Sequence, residues 1–287
     1  MKDQAMFEYL RLLYYLLRPR TLFIRRISNA LGDNLLLSVL LPGIREKWPQ
    51  HKVVIETPMP ELFWNNPHVV WVTTKHLKTV KRHIKPKYRV VNGTEPPITA
   101  QMRSYIGLNN PFPPQIFLIR HELDAARKRF SVPYFAVCPS SKTSFAANRK
   151  EWGMNNFQKL VNLFEKQRFV QVGLAADPLL AGVVDARGLP VRQSAAVIAN
   201  ADLFVGLEGG LMHLAKAVGT KSVIIYGGYV RPEISGYQDH LNIYSPVHCS
   251  PCYSSEKASS ECSSMECMRQ IQPEDVYGKI KEFCHIL

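Results

Sequence analysis

A glycine loop between a strand and a helix places the strongest constraint on the fold of this chain. An apolar run over 201–206 leads into Glu208-Gly209-Gly210, and a helix-forming stretch over 211–218 follows. Gly219 suits the C-terminal cap of that helix, and a second apolar run occupies 222–226. Strand, glycine loop, helix and strand predict a parallel crossover unit with an anion site at the helix N-terminus. Glycine there lets the backbone approach a phosphate closely.

The same alternation of strands and helices runs through the rest of the chain. The predicted strands lie at 20–27, 52–56, 69–72, 88–91, 135–139 and 169–173, and the predicted helices at 35–48, 155–167 and 191–201. This order predicts an α/β fold with two Rossmann-like domains, each built on a parallel sheet. We place an N-terminal helix at 1–19, an N-terminal domain at 20–130 and a C-terminal domain at 131–287. Two domains agree with a length of 287 residues at roughly 100–200 per domain.

Four short motifs follow one another in the order known from one enzyme family. The first is Gly32-Asp33 before an apolar helix, and the second combines Pro139-Ser140-Ser141 with Lys150-Glu151-Trp152. The third is the stretch Glu208–Ala215, and the last is the cysteine-bearing stretch Cys249–Met268. Together they resemble glycosyltransferase family 9, the ADP-heptose:lipopolysaccharide heptosyltransferase family, over about residues 20–285.

That resemblance implies an architecture, a reaction and a set of site residues. The architecture is glycosyltransferase B, in which two Rossmann-like domains face a cleft. The reaction is inverting transfer of a sugar, heptose by default, from a nucleotide diphosphate to a lipopolysaccharide or other surface-glycan acceptor, without a catalytic metal. Asp33 is the implied base, and Lys150 with a helix N-terminus would neutralise the leaving diphosphate. The implied donor-binding residues are Ser140, Ser141, Lys150, Glu208, Gly209, Gly210, Leu211 and His213.

Each of the main site residues also has a structural interpretation. Asp33 suits the N-terminal cap of a helix, and Lys150 suits an ordinary surface lysine in a chain with 21% charged residues. His213 would either face the ligand or satisfy nearby backbone. Glu208 stands where the family usually carries aspartate, so its carboxylate reaches one methylene further. We therefore expect a donor-sugar pocket that differs from the family's, with ADP-heptose as the default donor.

The cysteines give a second signal. Cys249, Cys252, Cys262 and Cys267 form two close pairs whose spacing suits four thiolates around a structural zinc or iron ion. Charged residues at positions 3, 8 and 11 interrupt the first apolar run, so we expect no signal peptide and a reducing compartment. Bound metal and free thiols are then the two interpretations. Cys138 falls in a predicted strand and is expected to be an inert buried residue.

A net charge of +13 points to anionic partners. The stretch Lys75–Arg89 alone contains seven lysines and arginines and no acidic residue. A nucleotide-sugar donor and an anionic glycan or glycolipid acceptor would explain this charge, and a solvated basic face is the alternative. No recognised nucleic-acid module occurs in the sequence, so nucleic acid is not an expected partner.

The N-terminal stretch 6–17 is apolar over most of a helix, with a polar stripe at 8, 11, 15 and 18 and an end at Pro19. It is too short and too charged to span a bilayer. It would lie in the membrane interface or pack on its own protein or a second subunit. We expect a cytoplasmic protein with peripheral contact to the inner face of the cytoplasmic membrane. Two alternative functions are also compatible with the sequence, namely a non-catalytic binding module on this fold and a sugar-nucleotide epimerase-type enzyme.

Overall fold

The computed structural model describes residues 2–75, 80, 83–91, 93–131, 133–141, 146–253 and 260–285, with side chains from residue 6 onward. Contacts divide the chain into two compact units. The first comprises Met1–Tyr88 and Thr99–Phe117, and the second comprises Arg89–Ile98 and Leu118–Leu287. The boundary that we predicted near residue 130 lies within the second unit, at the end of the helix Arg120–Phe130.

The first unit contains a parallel sheet of four strands. Its strands are β1 (Thr21–Arg25), β2 (Lys52–Glu56), β3 (Trp71–Thr73) and β4 (His83–Ile84), in the order β3-β2-β1-β4. Apolar side chains of β1, β2 and β3 form a core with the helix α1 (Lys2–Leu17). Within it, the ring of Tyr15 stacks on Trp71 at a centroid distance of 5.7 Å. One side of α1 is therefore part of the core of this unit.

Two local predictions for this unit are wrong. The helix predicted over 35–48 begins earlier and is divided into α2 (Leu31–Leu36), a 3-10 turn (Leu37–Leu40) and α3 (Leu41–Lys47). Pro42 explains the division, because a proline has no N–H for the helical bond to residue 38. The fourth strand is His83–Ile84 rather than 88–91. The Val91 N–H instead donates to the Glu95 carboxylate at 2.8 Å, so it is not available to a strand partner.

The second unit contains a parallel sheet of six strands. They are β5 (Phe135–Cys138), β6 (Phe169–Gln171), β7 (Val184–Asp185), β8 (Leu203–Leu207), β9 (Ser222–Tyr226) and β10 (Leu241–Tyr244), in the order β10-β9-β8-β5-β6-β7. Residues of β5, β8 and β9 are buried throughout, as expected for central strands of a parallel sheet covered on both faces. Parallel strands alternating with helices confirm the predicted α/β class in both units.

Helices accompany both sheets. After α3 come α4 (Ile98–Ser104), α5 (Arg120–Phe130), α6 (Met154–Leu163), α7 (Val191–Ala199), α8 (Gly210–Ala217), α9 (Pro232–Ser235), α10 (Glu266–Arg269) and α11 (Pro273–Cys284). The buried side of α11 packs on the second core through Val276 and Ile280. The indole N–H of Trp152 donates to the Ile271 carbonyl at 2.9 Å. The C-terminal segment is thus part of the second core.

Candidate functional site

Three loops meet at the carboxyl edge of the second sheet, after the neighbouring strands β5, β8 and β9. Lys150 lies on the chain that follows β5, Glu208 follows β8, and Tyr229 follows β9. The Lys150 ammonium forms an ion pair with the Glu208 carboxylate and lies 4.9 Å from the centroid of the Tyr229 ring. The edge where such folds bind ligands therefore carries two of the predicted site residues in direct contact.

Burial separates Lys150 from an ordinary surface lysine. Its side chain is 11% exposed, and that of Glu208 is 9% exposed. A desolvated ammonium needs an anion or an aromatic face close by, and it has both here. Burial, together with neighbouring Tyr253 and Glu208, raises the pKa of Tyr229 to about 12, so the ring stays neutral. The surface-lysine interpretation of Lys150 is wrong.

Gly209 turns the chain from β8 into α8. Its backbone angles are φ 155° and ψ −161°, and a Cβ built on it would meet nothing within 4 Å. Glycine is favoured at such angles, and the space beside it is open. Gly210 begins α8, and Leu211 lies half-buried in its first turn. The first backbone N–H groups of a helix lack partners within the helix, so this turn can donate hydrogen bonds to an anion.

His213 lies one turn further into α8 and is 5% exposed. Its Nδ1 is 2.7 Å from the hydroxyl of Tyr237, so this nitrogen contacts a side chain rather than nearby backbone. The Tyr237 ring in turn contacts the ring of His240 at a centroid distance of 5.1 Å. Burial raises the pKa of Tyr237. Burial also lowers the pKa of His240 to about 4, so the His240 ring is neutral at pH 7.

The two predicted serines follow β5 but differ in their contacts. The backbone N–H and the hydroxyl of Ser141 both donate to one carboxylate oxygen of Glu151, at 2.8 and 2.6 Å. The carbonyl of Ser140 accepts a hydrogen bond from the thiol of Cys138 at 3.4 Å. Burial raises the pKa of Cys138 to about 12, which agrees with the predicted inert thiol. These two hydrogen bonds therefore connect Ser141 with Glu151, the residue that follows Lys150.

Asp33 lies at the carboxyl end of β1, in the first turn of α2. The N-cap of α2 is Ala30, so Asp33 does not occupy the cap position that the structural interpretation gave it. Its carboxylate accepts a hydrogen bond of 2.7 Å from the Tyr88 hydroxyl on one oxygen. The other oxygen accepts one of 2.5 Å from the Ser28 hydroxyl. Asp33 is thus a partly exposed carboxylate oriented by two hydroxyl groups.

A cluster of charged side chains lies at the same end of the first sheet. Glu56 is fully buried and pairs with Arg25 at 3.2 Å and with Arg26 at 3.4 Å. A guanidinium nitrogen of Arg25 is also 3.0 Å from Nε2 of His83. One carboxylate between two guanidinium groups leaves the cluster with an excess of positive charge. The charge is partly accessible, because the two arginine side chains are 13% and 24% exposed.

The four cysteines of the tail share one neighbourhood without forming a complete set of metal ligands. Cys267 accepts a hydrogen bond from the Gly228 N–H at 3.1 Å, and the thiol of Cys252 donates to the Gly228 carbonyl at 3.1 Å. Burial raises the pKa of both thiols, and Cys249 adds to each rise. The hydrogen bond with Ser264 lowers the pKa of Cys262. In the described parts of the chain, no three histidine, cysteine or acidic side chains are arranged to hold a metal ion.

The helix α1 has a buried and an exposed side. Tyr15 belongs to the core, whereas Phe7, Leu10 and Leu17 are 62%, 56% and 83% exposed. These three side chains lie at helical spacings of three and seven residues, on one face. No helix within the described ranges has the length and hydropathy of a membrane span. Positions 78, 81 and 82 of the predicted basic run lie outside the described residues.

Comparison with known proteins finds one matching family. The model of glycosyltransferase family 9 (heptosyltransferase) matches residues 186–262, which include β8, α8 and part of the cysteine tail. Over these residues the chain is similar to glycosyltransferase family 9, the family that its motifs resemble. This similarity indicates a glycosyltransferase, as the motifs predicted. A search of curated proteins gives no match.

Solved structures of heptosyltransferases share the fold. The ADP-heptose lipopolysaccharide heptosyltransferase II of E. coli is 16% identical, with a TM-score of 0.68 over 93% of this chain and 99% of that chain. The iron-containing dodecameric glycosyltransferase TibC of enterotoxigenic E. coli is also 16% identical, with a TM-score of 0.74 over 93% and 76%. TibC in complex with ADP-D-β-D-heptose is 17% identical, with a TM-score of 0.72 over 94% and 77%. At these identities the likeness establishes the fold.

The contacts also identify three tyrosines that were not among the functional residues predicted from the sequence. Tyr229, Tyr237 and Tyr88 each touch one predicted site residue, namely Lys150, His213 and Asp33. Tyr229 had one available signal, since it follows Gly227-Gly228 at the end of a predicted strand. No comparable signal pointed to Tyr88 or Tyr237, because their partners, Asp33 and His213, are distant in sequence.

Proposed function

We propose that this protein belongs to glycosyltransferase family 9 and transfers a sugar, with inversion, from a nucleoside diphosphate bound to the second unit onto a hydroxyl of an anionic glycan or glycolipid. The observation that carries the proposal is the buried Lys150–Glu208 pair beside the first turn of α8. That arrangement combines a buried cation with the first backbone N–H groups of a helix, at the edge of a parallel sheet where such folds bind ligands.

On the donor side, Lys150 would move from Glu208 to the diphosphate. The first turn of α8 would donate hydrogen bonds to the same phosphates through Gly210 and Leu211. Ser140 would contribute a further hydroxyl, whereas Ser141 would act mainly through Glu151 in holding this loop. Neutralising the diphosphate in this way stabilises the leaving group without a divalent metal.

On the acceptor side, Asp33 would act as the general base. It would take the proton of the acceptor hydroxyl while that oxygen attacks the anomeric carbon and the bond to the diphosphate breaks. A single displacement of this kind inverts the anomeric configuration. Ser28 and Tyr88 support the assignment, because their two hydrogen bonds orient the carboxylate, which is partly exposed.

The proposal also names a class for each substrate. Heptose is the default sugar, since one structural neighbour was solved with ADP-D-β-D-heptose. Glu208 would hydrogen-bond a sugar hydroxyl once Lys150 turns to the diphosphate. The cluster of Arg25 and Arg26 around Glu56 supports an anionic acceptor such as a lipopolysaccharide core, as does the net charge of +13.

The decisive experiment is a panel of ADP-, GDP-, UDP- and CMP-sugars, measured by thermal shift and then by turnover. We expect one nucleoside diphosphate to raise the melting temperature of the wild type and to lose most of this effect with Lys150→Ala. Lys166→Ala, at an exposed position, is the matched control. An equal shift in wild type and Lys150→Ala would contradict the phosphate assignment. Turnover of the donor without any acceptor would favour the epimerase-type alternative.

We further propose that the tail binds one structural zinc or iron ion through Cys249, Cys252, Cys262 and Cys267. The shared neighbourhood of the four thiols supports this, and TibC is an iron-containing neighbour. Metal analysis of protein purified without added metal should give about one ion per chain. A zero value with freely titrating thiols and unchanged stability would leave the free-thiol interpretation.

Contact with the inner face of the cytoplasmic membrane is the last part of the proposal. The exposed face of α1 would enter the membrane–water interface, and nearby arginine side chains would face the anionic lipid headgroups. Attraction of this kind contributes about 1 kcal/mol per basic residue near the surface and weakens with salt. Sedimentation with anionic and neutral liposomes at two salt concentrations tests it. Equal partition of the full chain and a chain lacking residues 1–19 would mean that α1 packs on protein instead.

A further inference from the structure

The short loop of residues 146–150, here called the lysine loop, carries the residue that is proposed to hold the diphosphate. Two turn hydrogen bonds define its shape, from Arg149 N–H to the Ala146 carbonyl at 3.0 Å and from Glu151 N–H to the Asn148 carbonyl at 2.9 Å. These bonds set the conformation of the turn but not its position on the sheet. Its position must come from contacts with other segments.

The tail segment of residues 260–262 supplies such contacts. The side-chain amide of Asn148 donates to the Cys262 carbonyl at 3.0 Å and accepts from the Cys262 N–H at 2.8 Å. Arg149 is buried, and its guanidinium donates to the Ser260 carbonyl at 2.9 Å and to its hydroxyl at 3.2 Å. Four hydrogen bonds therefore join the lysine loop to the tail segment.

The opposite side of the lysine loop rests on the end of β9. A Cβ built on Gly227 would lie 2.3 Å from the Arg149 carbonyl oxygen and 2.8 Å from the methyl carbon of Met268. Any side chain at position 227 would collide with the backbone of the loop. Gly227 thus allows the loop to lie directly against the chain that continues to Tyr229, the ring under the Lys150 ammonium.

We infer that the tail segment positions Lys150 for the nucleotide diphosphate by fixing the lysine loop through Asn148 and Arg149. Asn148 is then a positioning residue, and donor affinity depends on the cysteine-bearing tail. This inference rests on the proposed function, because it assigns a role to Lys150. It adds that the tail segment, which is distant from Lys150 in sequence, completes the donor site.

The test compares two substitutions that act on opposite sides of the loop. Asn148→Ala removes both bonds to Cys262, and Gly227→Ala pushes against the Arg149 carbonyl. Asn148→Asp keeps the acceptor for the Cys262 N–H and loses the amide donor, so it gives a milder version that retains the fold. Asn162→Ala on α6 and Gly278→Ala on α11 are the controls, since a Cβ at 278 would meet nothing within 4 Å.

Two readouts are needed. Hydrogen exchange of a peptide covering 146–153 reports on the loop without any ligand. Calorimetric titration with ADP, followed by GDP and UDP, reports on the diphosphate site. We expect faster exchange of this peptide and roughly ten-fold weaker binding for Asn148→Ala, from the loss of two hydrogen bonds. Gly227→Ala should have a similar effect, Asn148→Asp a smaller one, and both controls none.

The outcomes separate this inference from the proposed function. Unchanged exchange in Asn148→Ala and Gly227→Ala would overturn it, because the tail would not hold the loop. Faster exchange with unchanged affinity would also overturn it, provided that Lys150→Ala weakens binding. If Lys150→Ala leaves affinity unchanged, or if no nucleoside diphosphate binds, the proposed function fails. The exchange result alone then decides whether the tail fastens the loop.

Discussion

The two units place their polar residues at the same edge of a parallel sheet but hold them in different ways. In the first unit, Asp33 is partly exposed and is oriented by two neutral hydroxyl groups. In the second unit, Lys150 is largely buried and is held by a carboxylate and an aromatic ring. The first arrangement suits the proposed general base, and the second keeps a cation in place for the proposed diphosphate. The carboxyl edges of the two parallel sheets thus hold a carboxylate and a cation in different ways.

The difference follows from what each group must do in the proposed reaction. A general base must reach the proton of an incoming hydroxyl, so neutral partners that orient it without neutralising it are suitable. A phosphate-binding cation gains from low dielectric, which strengthens its attraction to the diphosphate. In the absence of ligand that burial requires a counter-ion, and Glu208 provides it.

Replacing the oriented carboxylate of the first unit should have the largest effect. We expect Asp33→Asn to lower kcat by about 10²- to 10⁴-fold, the usual range for a general base, with little change in the KM for the nucleotide donor. The melting temperature should stay close to that of the wild type. Steady-state kinetics with the donor identified by the nucleotide-sugar panel and a lipopolysaccharide-core acceptor provide the measurement. A kcat near the wild-type value would remove Asp33 from the mechanism.

The charged cluster of the first unit should be sensitive to the loss of its one carboxylate. Glu56→Gln keeps the shape but leaves Arg25 and Arg26 without their counter-ion, so we expect a loss of about 3 kcal/mol in the free energy of unfolding. Denaturant unfolding is the measurement. The matched control is Asp124→Asn, because the Arg120–Asp124 pair is largely exposed and should contribute nothing measurable. Equal stability of the two variants would show that the buried cluster is not structurally important.

Acid should destabilise the second unit through His240. Its two ring nitrogens lack hydrogen-bond partners among the described residues, and burial lowers its pKa from 6.5 to about 4. Asp239 opposes this shift, whereas Lys216 and His213 add to it. Because the unfolded chain binds the proton more readily, this contribution to stability is complete above pH 6.5 and is lost as the pH falls towards 4. Between pH 7 and pH 5 the loss should be about 2 kcal/mol.

His240→Phe provides the comparison for this pH dependence. Phenylalanine keeps a ring beside Tyr237 but cannot take up a proton. Unfolding free energies at pH 7, 6 and 5 should therefore fall less steeply in this variant than in the wild type. His121→Gln, at an exposed position of α5, should follow the wild-type curve. Parallel curves for wild type and His240→Phe would contradict the assignment.

The smallest expected effect concerns the orientation of Asp33. Tyr88→Phe removes one hydrogen bond to the carboxylate and keeps the ring, so we expect kcat to fall about five-fold, the equivalent of roughly 1 kcal/mol. The KM for the donor should not change, since Tyr88 contacts Asp33, the proposed base. Ser28→Ala should act in the same direction through the other oxygen. A rise in KM with unchanged kcat would instead place Tyr88 in substrate binding.

The alternation of strands and helices could be predicted from the sequence because it depends on local patterns. Apolar runs of strand length, the glycine loop at 208–210 and the helix from 210 to 217 depend mainly on neighbouring residues. The same is true of the resemblance to family 9, which rests on contiguous motifs. Errors arose where a local pattern was ambiguous. Pro42 interrupted the predicted helix 35–48, and residues 88–91 resembled a strand but form no ladder.

Only the tertiary structure decided which side chains meet. Tyr88 reaches Asp33 across 55 residues of sequence, and Asn148 reaches Cys262 across 114. The contact of Lys150 with Glu208 requires β5 and β8 to be neighbours, whereas the sequence places β6 and β7 between them. Strand order depends on how the helices pack on the sheet as a whole, a property that no local segment contains. The chain alone therefore specified the elements and the candidate residues, and the packing of those elements specified their partners.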